Sequence, residues 1–144
     1  MSSPTLYLMC GLPGAGKTTR AHRLCTQTGA LYLSADAWVE SLGRSLVDYE
    51  FRFKLQDCLL VHAGKLLTHH MSVILEFGSW SRSERDTIRQ VAVTSRARTE
   101  LHFVDAPIDE LARRIRARGG PDAESLVTDV LLPLHHRFER PTRE

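Results

Sequence analysis

Short apolar runs alternate along the chain with longer segments in which apolar residues recur every three or four positions. The runs lie at 6–10, 30–33, 73–75 and 101–104, and such runs are typical of buried strands in a parallel sheet. The longer segments have the spacing of helices with one buried face. The pattern therefore predicts an α/β fold in which helices flank a mostly parallel sheet on both faces.

Capping and breaking residues set the predicted helix boundaries. Gly29 ends a first helix that begins near Lys17, and Gly43 ends a second helix, which the polar residues of 34–36 can cap. Two further helices are predicted at 48–70 and 83–98. Another begins at Pro107 and is broken at 119–121, and the last spans 125–138 with an interruption at Pro133.

The periodicity also predicts which side chains point inward. In the helix 48–70 the buried face is predicted to carry Phe51, Leu55, Cys58, Leu59, His62, Leu66 and Leu67. Trp38 is expected in the core, because it lies one turn into a short helix. Ser83 and Asp86 have the spacing of a helix-capping signal.

Length and composition fit one globular domain that spans 1–144. The chain has 144 residues, of which 42% are hydrophobic and 25% charged, and these values exclude a disordered or collagen-like chain. The formal charge of +2 is too small to indicate a nucleic-acid coat protein. No run approaches the roughly 18 apolar residues of a membrane span, so we expect a cytoplasmic protein without membrane attachment.

Arginine, cysteine and histidine refine this picture. Sixteen of the 19 basic residues are Arg, which suits bidentate phosphate binding but would also follow from a GC-rich genome. Cys10, Cys25 and Cys58 lack metal-type spacing and are expected to be reduced thiols. The histidine pairs at 69–70 and 135–136 lack further ligands at helical spacing, so we expect no metal site there.

A phosphate-binding motif follows the first predicted strand. The sequence Gly11-Leu12-Pro13-Gly14-Ala15-Gly16-Lys17-Thr18 satisfies the Walker A pattern and leads into a predicted helix. Its glycines let successive N–H groups point at phosphate oxygens, and the helix adds its positive end. Lys17 is expected on the β and γ phosphates, Thr18 on Mg²⁺, and Thr19 on the α phosphate. The context makes a chance match a poor explanation.

The motif alone does not distinguish kinases, ATPases and GTPases. A GTPase should also carry a D-x-x-G switch and an N-K-x-D guanine reader, and neither string occurs in the chain. Motor and remodelling ATPases usually have larger domains. A small kinase is therefore the class that suits 144 residues.

Four segments together resemble a known family. They are 11–18, 33–38, 73–85 and 101–107, and the chain resembles the small P-loop kinases of the AAA-family ATP-binding group, relatives of polynucleotide 5′-kinases, chloramphenicol phosphotransferase and zeta-type toxins. The resemblance implies a three-layer, nucleoside-kinase-like P-loop NTPase fold. It also implies phosphoryl transfer from ATP with Mg²⁺, while leaving the acceptor open.

The resemblance assigns roles to two acidic residues. Asp36, just beyond the second strand, would take the proton from the acceptor hydroxyl, and a carboxylate there can orient a nucleophile towards the γ phosphate. The alternative is that Asp36 only caps the following helix. Glu76 ends the third strand, where this family more often carries an Asp that holds Mg²⁺ through water. The alternative for Glu76 is a hydrogen bond to the loop at Gly78.

Arginines near the predicted cleft supply candidate cations. Arg82 follows the third strand and is expected to contact the substrate or the transferred phosphoryl group, whereas Arg85 and Arg89 are expected on a solvated helix face. The string 114–118 is similar to the one that opens the lid of small kinases, which implies that Arg114 stacks on adenine and Arg118 reaches the β and γ phosphates.

The lid itself is expected at about 116–124. Gly119 and Gly120 would supply its hinge. The alternative is an ordinary arginine-rich helix end beside its negative dipole terminus.

These expectations combine into one functional hypothesis with two alternatives. The chain is expected to transfer the γ-phosphoryl group of ATP to a hydroxyl of a small molecule, in a pocket roofed by Arg44, Tyr49 and Arg52. One alternative is a polynucleotide 5′-kinase, although the few aromatic residues, 7% of the chain, weigh against a nucleic-acid partner. The other is a regulatory ATP-binding module without an acceptor.

Overall fold

Four parallel strands form the sheet of this computed structural model, which describes residues 2–143. Their spatial order is β2-β3-β1-β4. The strands are β1 (Thr5–Cys10), β2 (Leu31–Ser34), β3 (Val73–Gly78) and β4 (Arg98–Phe103). The helices are α1 (Lys17–Thr28), α2 (Ala35–Ser41), α3 (Tyr49–Thr68), α4 (Arg82–Thr94), α5 (Ile108–Arg118), α6 (Ala123–Ser125), a π-helical turn (Leu126–Leu131) and α7 (Leu132–Arg137). The predicted three-layer α/β fold is confirmed.

The two central strands divide their side chains between the helical layers. Successive residues of a strand point to opposite faces, so Leu8 of β1 packs with α3 and α4 whereas Met9 packs with α1. In β3, Leu75 lies on the α3–α4 side and Ile74 on the α1 side. The same alternation places Glu76 on the α1 side, where α1 begins next to the phosphate-binding motif.

The buried face of α3 differs from the predicted one. Cys58 and His62, which periodicity places inward, are exposed. The buried stripe consists of Arg52, Gln56, Leu59, Ala63 and Leu67. Apolar periodicity failed because the first two members are polar side chains that donate hydrogen bonds to the Phe77 carbonyl inside the protein.

The segment from α4 to β4 also differs from the predicted helix 83–98. The predicted helix 83–98 ends at Thr94 instead, because the chain turns at Arg96, whose φ is 56°. The Ala97 amide then donates to the Ala92 carbonyl at 2.8 Å, and β4 begins at Arg98. The last residue of the predicted helix, Arg98, therefore joins the sheet.

Two side chains lie in environments opposite to those predicted. Trp38, expected in the core, is 44% exposed. Arg85, expected on a solvated face, is fully buried, and its guanidinium donates to the Ser79 carbonyl at 2.9 Å. Arg85 therefore braces the loop after β3, because a carbonyl at the end of a buried strand needs a donor.

The helical segment near the carboxyl end contains the interruption predicted at Pro133. The π-helical turn Leu126–Leu131 directly precedes Leu132 and Pro133. Proline lacks an N–H group and its ring collides with the carbonyl four residues earlier, so a widened turn accommodates it. Within residues 2–143, no helix is both long enough and apolar enough to cross a bilayer.

The amino end of α4 gives a stability test. Ser81, rather than the predicted Ser83 and Asp86, caps the helix: its Oγ accepts from the Glu84 amide at 3.1 Å and donates to the Glu84 carboxylate at 3.2 Å. We expect Ser81→Ala to lower the free energy of unfolding by about 1 kcal/mol, the usual effect of losing an N-cap. Urea denaturation measures it, with Ser83→Ala as the control that should change little. An equal loss in both variants would contradict this assignment.

Candidate active site

A cavity of about 1300 Å³ lies at the carboxyl ends of the strands. It is at the point where the strand order reverses, with β4 on one side of β1 and β3 on the other, and such a crevice is where open parallel sheets bind ligands. The phosphate-binding motif forms one wall of the cavity, α2 and the start of α3 form a second, and α5 with the following loop forms a third.

The motif residues form a tight loop between β1 and α1. Gly14 and Gly16 have φ values of 84° and 104°, in the left-handed region that favours glycine. A Cβ added at Gly14 would lie 2.9 Å from the Leu111 carbonyl oxygen of α5. The glycine thus serves both the turn of the loop and the close approach of α5 against it.

The loop leaves the amino end of α1 available to an anion. Among the described residues, no side chain caps this helix and no acidic residue lies in its first turn, so its N–H groups and positive dipole end favour a phosphate. Pro13, Ala15, Lys17, Thr18 and Thr19 line the cavity together with Gly14 and Gly16. Gly11 and Leu12 support the loop from behind and do not line the cavity.

Lys17 is held in place by the loop itself. Its Nζ donates to the Gly11 carbonyl at 2.6 Å and lies 6.0 Å from the centre of the Trp80 ring. Burial lowers the pKa of Lys17 below its ordinary value, and the carboxylates of Glu76 and Asp36 oppose that shift. A phosphate in the loop would add further negative charge beside the half-buried ammonium.

Glu76 connects the strand end to α1. It is only 5% exposed, its Oε2 accepts from the Thr18 hydroxyl at 3.2 Å, and its Oε1 accepts from the Tyr32 hydroxyl at 2.9 Å. Burial raises the pKa of Tyr32, and the adjacent Glu76 carboxylate raises it further. The alternative contact of Glu76 with the loop at Gly78 is therefore not the one formed.

These groups suit a magnesium ion. Mg²⁺ prefers hard oxygen ligands and is usually held by one or two protein oxygens, together with substrate phosphates and waters. The Thr18 hydroxyl and the Glu76 carboxylate, side by side at the mouth of the phosphate loop, are such a pair. In the described part of the chain, no group of three or more His, Cys, Asp or Glu side chains is placed so that it could hold a metal ion.

Asp36 lies on the opposite wall, in the first turn of α2. Ser34 is the residue that caps α2, because its Oγ accepts from the Ala37 amide at 3.2 Å. The Asp36 carboxylate instead accepts a hydrogen bond from the Arg52 guanidinium and remains 47% exposed to the cavity. Asp36 is therefore available to a ligand and is not used as a helix cap.

The arginines of α5 divide into paired and unpaired groups. Arg113 and Arg114 share Glu110, and Arg116 pairs with Glu124. Hydrogen bonds from Arg113 and then Arg114 lower the pKa of Glu110 to about 2. Arg118 lines the cavity and has no ion-pair partner among residues 2–143.

Arg114 has a second set of contacts. Its guanidinium reaches the carbonyls of Gly14 at 3.3 Å and Ala15 at 3.4 Å. It therefore holds α5 against the phosphate loop at the edge of the cavity.

The segment predicted as a lid meets the loop that follows α2. Gly119 and Gly120 have φ values of 67° and 97°, and the next residues turn back over the cavity. The Asp122 carboxylate accepts from the Ser45 hydroxyl at 3.1 Å and from the Leu46 amide at 3.2 Å. This pair of hydrogen bonds, the Asp122 latch, joins the arginine-bearing side of the cavity to the side that carries Asp36.

The structure does not bring every predicted residue into the cavity. Arg82 is exposed at the start of α4, 3.8 Å from Asp86, and does not line the cavity. Sequence reasoning gave no role to Tyr32, Trp80 or Asp122. Trp80 is buried and its indole nitrogen donates to the Gly11 carbonyl at 3.1 Å. No sequence signal marks these contacts, because each joins residues far apart in the chain.

The arrangement defines a class of protein. A phosphate loop lies opposite a half-exposed carboxylate, and an arginine without an ion-pair partner within residues 2–143 lies at the cavity edge. This is the layout of a P-loop kinase, in which catalysis consists of positioning and charge stabilisation. A family model with the description "AAA domain" matches residues 6–141. The chain therefore belongs to the AAA domain family. No curated protein gives a significant match.

Solved structures have the same fold. A candidate kinase from Chloroflexus aurantiacus is 25% identical with a TM-score of 0.69; the match covers 88% of this chain and 76% of that one. The APS kinase of Mycobacterium tuberculosis, solved with AMPPNP and APS, is 18% identical with a TM-score of 0.69, over 99% and 86%. The Pnkp1/Rnl/Hen1 RNA repair complex contains a chain that is 21% identical with a TM-score of 0.70, over 96% of this chain and 47% of that one.

The lowered pKa of Lys17 predicts a proton linked to nucleotide binding. Near that lowered pKa part of the protein carries a neutral Lys17, and a triphosphate restores the ammonium. We therefore expect Mg-ATP binding to take up a proton at alkaline pH, below the ordinary pKa of lysine. Calorimetry in buffers of different ionisation enthalpy measures it. Lys65→Met, on α3 away from the cavity, should behave as the wild type, and proton release would contradict the prediction.

Proposed function

We propose that the chain is an ATP-dependent phosphotransferase that transfers the γ-phosphoryl group to a hydroxyl of a small molecule. The observation that carries the proposal is the position of Asp36. Its carboxylate faces the cavity that the phosphate loop lines, and Ser34 instead of Asp36 caps α2. A base opposite a triphosphate site is the arrangement that a hydroxyl acceptor requires.

In the proposed reaction the phosphate loop and Lys17 bind the triphosphate of ATP. Asp36 accepts the proton of the acceptor hydroxyl as its oxygen attacks the γ phosphorus, and ADP leaves. Arg118 stabilises the charge that develops on the transferred group. Thr18 and Glu76 would hold Mg²⁺, which when bound neutralises phosphate charge.

A small acceptor is favoured by the Asp122 latch. The hydrogen bonds from Ser45 and Leu46 to Asp122 join two segments that line the same cavity as Asp36. A compact hydroxyl compound fits a cavity bounded in this way, whereas a polynucleotide needs an open groove for several nucleotides. The three free cysteines suit the reducing cytoplasm in which we expect the protein to act.

The proposal is tested by measuring ADP release from Mg-ATP with a panel of acceptors. The panel contains sugars, sugar acids, nucleosides, amino alcohols and an oligoribonucleotide with a 5′-hydroxyl, and mass spectrometry identifies any phosphorylated product. A phosphorylated small molecule is the expected result. Phosphorylation of the oligonucleotide alone, with steep salt dependence, would identify a polynucleotide kinase. ATP binding without any product would identify a regulatory module.

Asp36→Asn separates binding from transfer. The amide keeps the shape of the carboxylate but cannot accept the proton, so transfer should fall by about 10²-fold or more while ATP affinity is retained. Initial rates and nucleotide titrations on the same preparation provide both values. Asp57→Asn, on α3, is the matched control. Normal transfer by Asp36→Asn would remove the residue from the mechanism.

Lys17→Ala tests the nucleotide site itself. Removing the cation next to the phosphates should abolish measurable ATP binding or turnover while the fold, followed by circular dichroism, persists. Lys54→Ala removes an exposed lysine of α3 and should leave both unchanged. Unaltered turnover in Lys17→Ala would contradict the proposed mechanism.

A further inference from the structure

Arg52 is a charged side chain in a buried position. It lies in the first turn of α3 and is only 6% exposed. One terminal nitrogen donates to the Asp36 carboxylate and the other donates to the Phe77 carbonyl at 3.1 Å. The guanidinium also lies over the Trp80 ring, 5.5 Å from its centre. Arg52 therefore touches α2, the end of β3 and the loop after β3 at once.

Fold stability does not account for these contacts. The Phe77 carbonyl already accepts from the Gln56 amide at 3.1 Å, and the half-exposed Asp36 carboxylate would be solvated without a partner. The Arg52 Nε is buried and has no hydrogen-bond partner among the described residues. Burying a cation with an unmade hydrogen bond opposes folding, so an apolar side chain here would serve the core at least as well.

We propose that Arg52 is a positioning residue that fixes the Asp36 carboxylate relative to the phosphate loop. The inference rests on the proposed function, in which Asp36 is the general base. Arg52 holds the carboxylate from one side, and the Phe77 carbonyl holds Arg52. Trp80, on which the guanidinium stacks, is itself bonded to the Gly11 carbonyl of the phosphate loop. The acceptor side is thereby tied to the nucleotide side through Arg52 and Trp80, which both line the cavity.

Such a tie matters because the Asp36 carboxylate is half-exposed and belongs to a short helix. Helix α2 has only seven residues and follows β2, which lies at the edge of the sheet. Proton transfer and in-line attack depend on the distance and direction of the base. The planar guanidinium offers two donors in a fixed geometry, which a lysine ammonium does not. Arg52→Lys should therefore retain only part of the effect.

The test compares Arg52→Met with Gln56→Met. Both substitutions remove a buried polar donor to the Phe77 carbonyl from the same helix face, but only Arg52 contacts Asp36. Melting temperature, ATP affinity and the rate of ADP release from Mg-ATP, with water or the best panel compound as acceptor, are measured for each. Arg52→Met should melt no lower than Gln56→Met and bind ATP normally, yet turn over about 10²-fold more slowly. Gln56→Met should keep its turnover, and Arg52→Lys should fall between.

A second measurement tests the positioning role of Arg52 without relying on ATP turnover. Side-chain scalar couplings of Asp36, measured by NMR, should report one rotamer in the wild type and in Gln56→Met, and averaging over several rotamers in Arg52→Met. A single Asp36 rotamer in Arg52→Met would overturn the positioning role. So would a melting temperature well below that of Gln56→Met, which would indicate a structural role. If the wild type shows no turnover of ATP, the proposed function fails. The rotamer comparison then still tests whether Arg52 positions the Asp36 carboxylate.

Discussion

The close contact between the phosphate loop and α5 is the constraint on which the site depends. The loop must curl tightly enough to turn its N–H groups inward, and α5 must approach it so closely that Gly14 has no room for a side chain. Arg114 closes this contact through the carbonyls of Gly14 and Ala15. The positions of Arg118 and of the loop after it follow, because Arg118 is the last residue of α5 and the loop continues from it.

Polar groups buried at the carboxyl ends of the strands define the rest of the site. Glu76 is shared by Thr18 and Tyr32, and Arg52 is shared by Asp36 and the Phe77 carbonyl. Burying such groups opposes folding unless their hydrogen bonds are made, and here most of them are. Functional sites are where a chain departs from the simple rule of apolar inside and polar outside.

That rule explains where the sequence-based predictions were wrong. The pattern places Cys58 and His62 of α3 inward because it treats arginine and glutamine as surface residues. It places Arg85 on a solvated face for the same reason, and it places Trp38 in the core. In each case a specific partner, or the lack of one, decided the burial, and periodicity contains no information about partners.

The sequence alone determined the order of strands and helices along the chain, the phosphate loop, and its position between β1 and α1. These features depend on the local spacing of apolar residues and on glycine. It also marked Asp36 as a residue beyond a strand end. Only the tertiary structure decided that Ser34 caps α2, that Arg52 donates to Asp36, and that the Asp122 latch joins the segment after α2 to the segment after α5. The two latter contacts join separate elements of the chain, and their geometry exists only after the sheet has brought its carboxyl ends together.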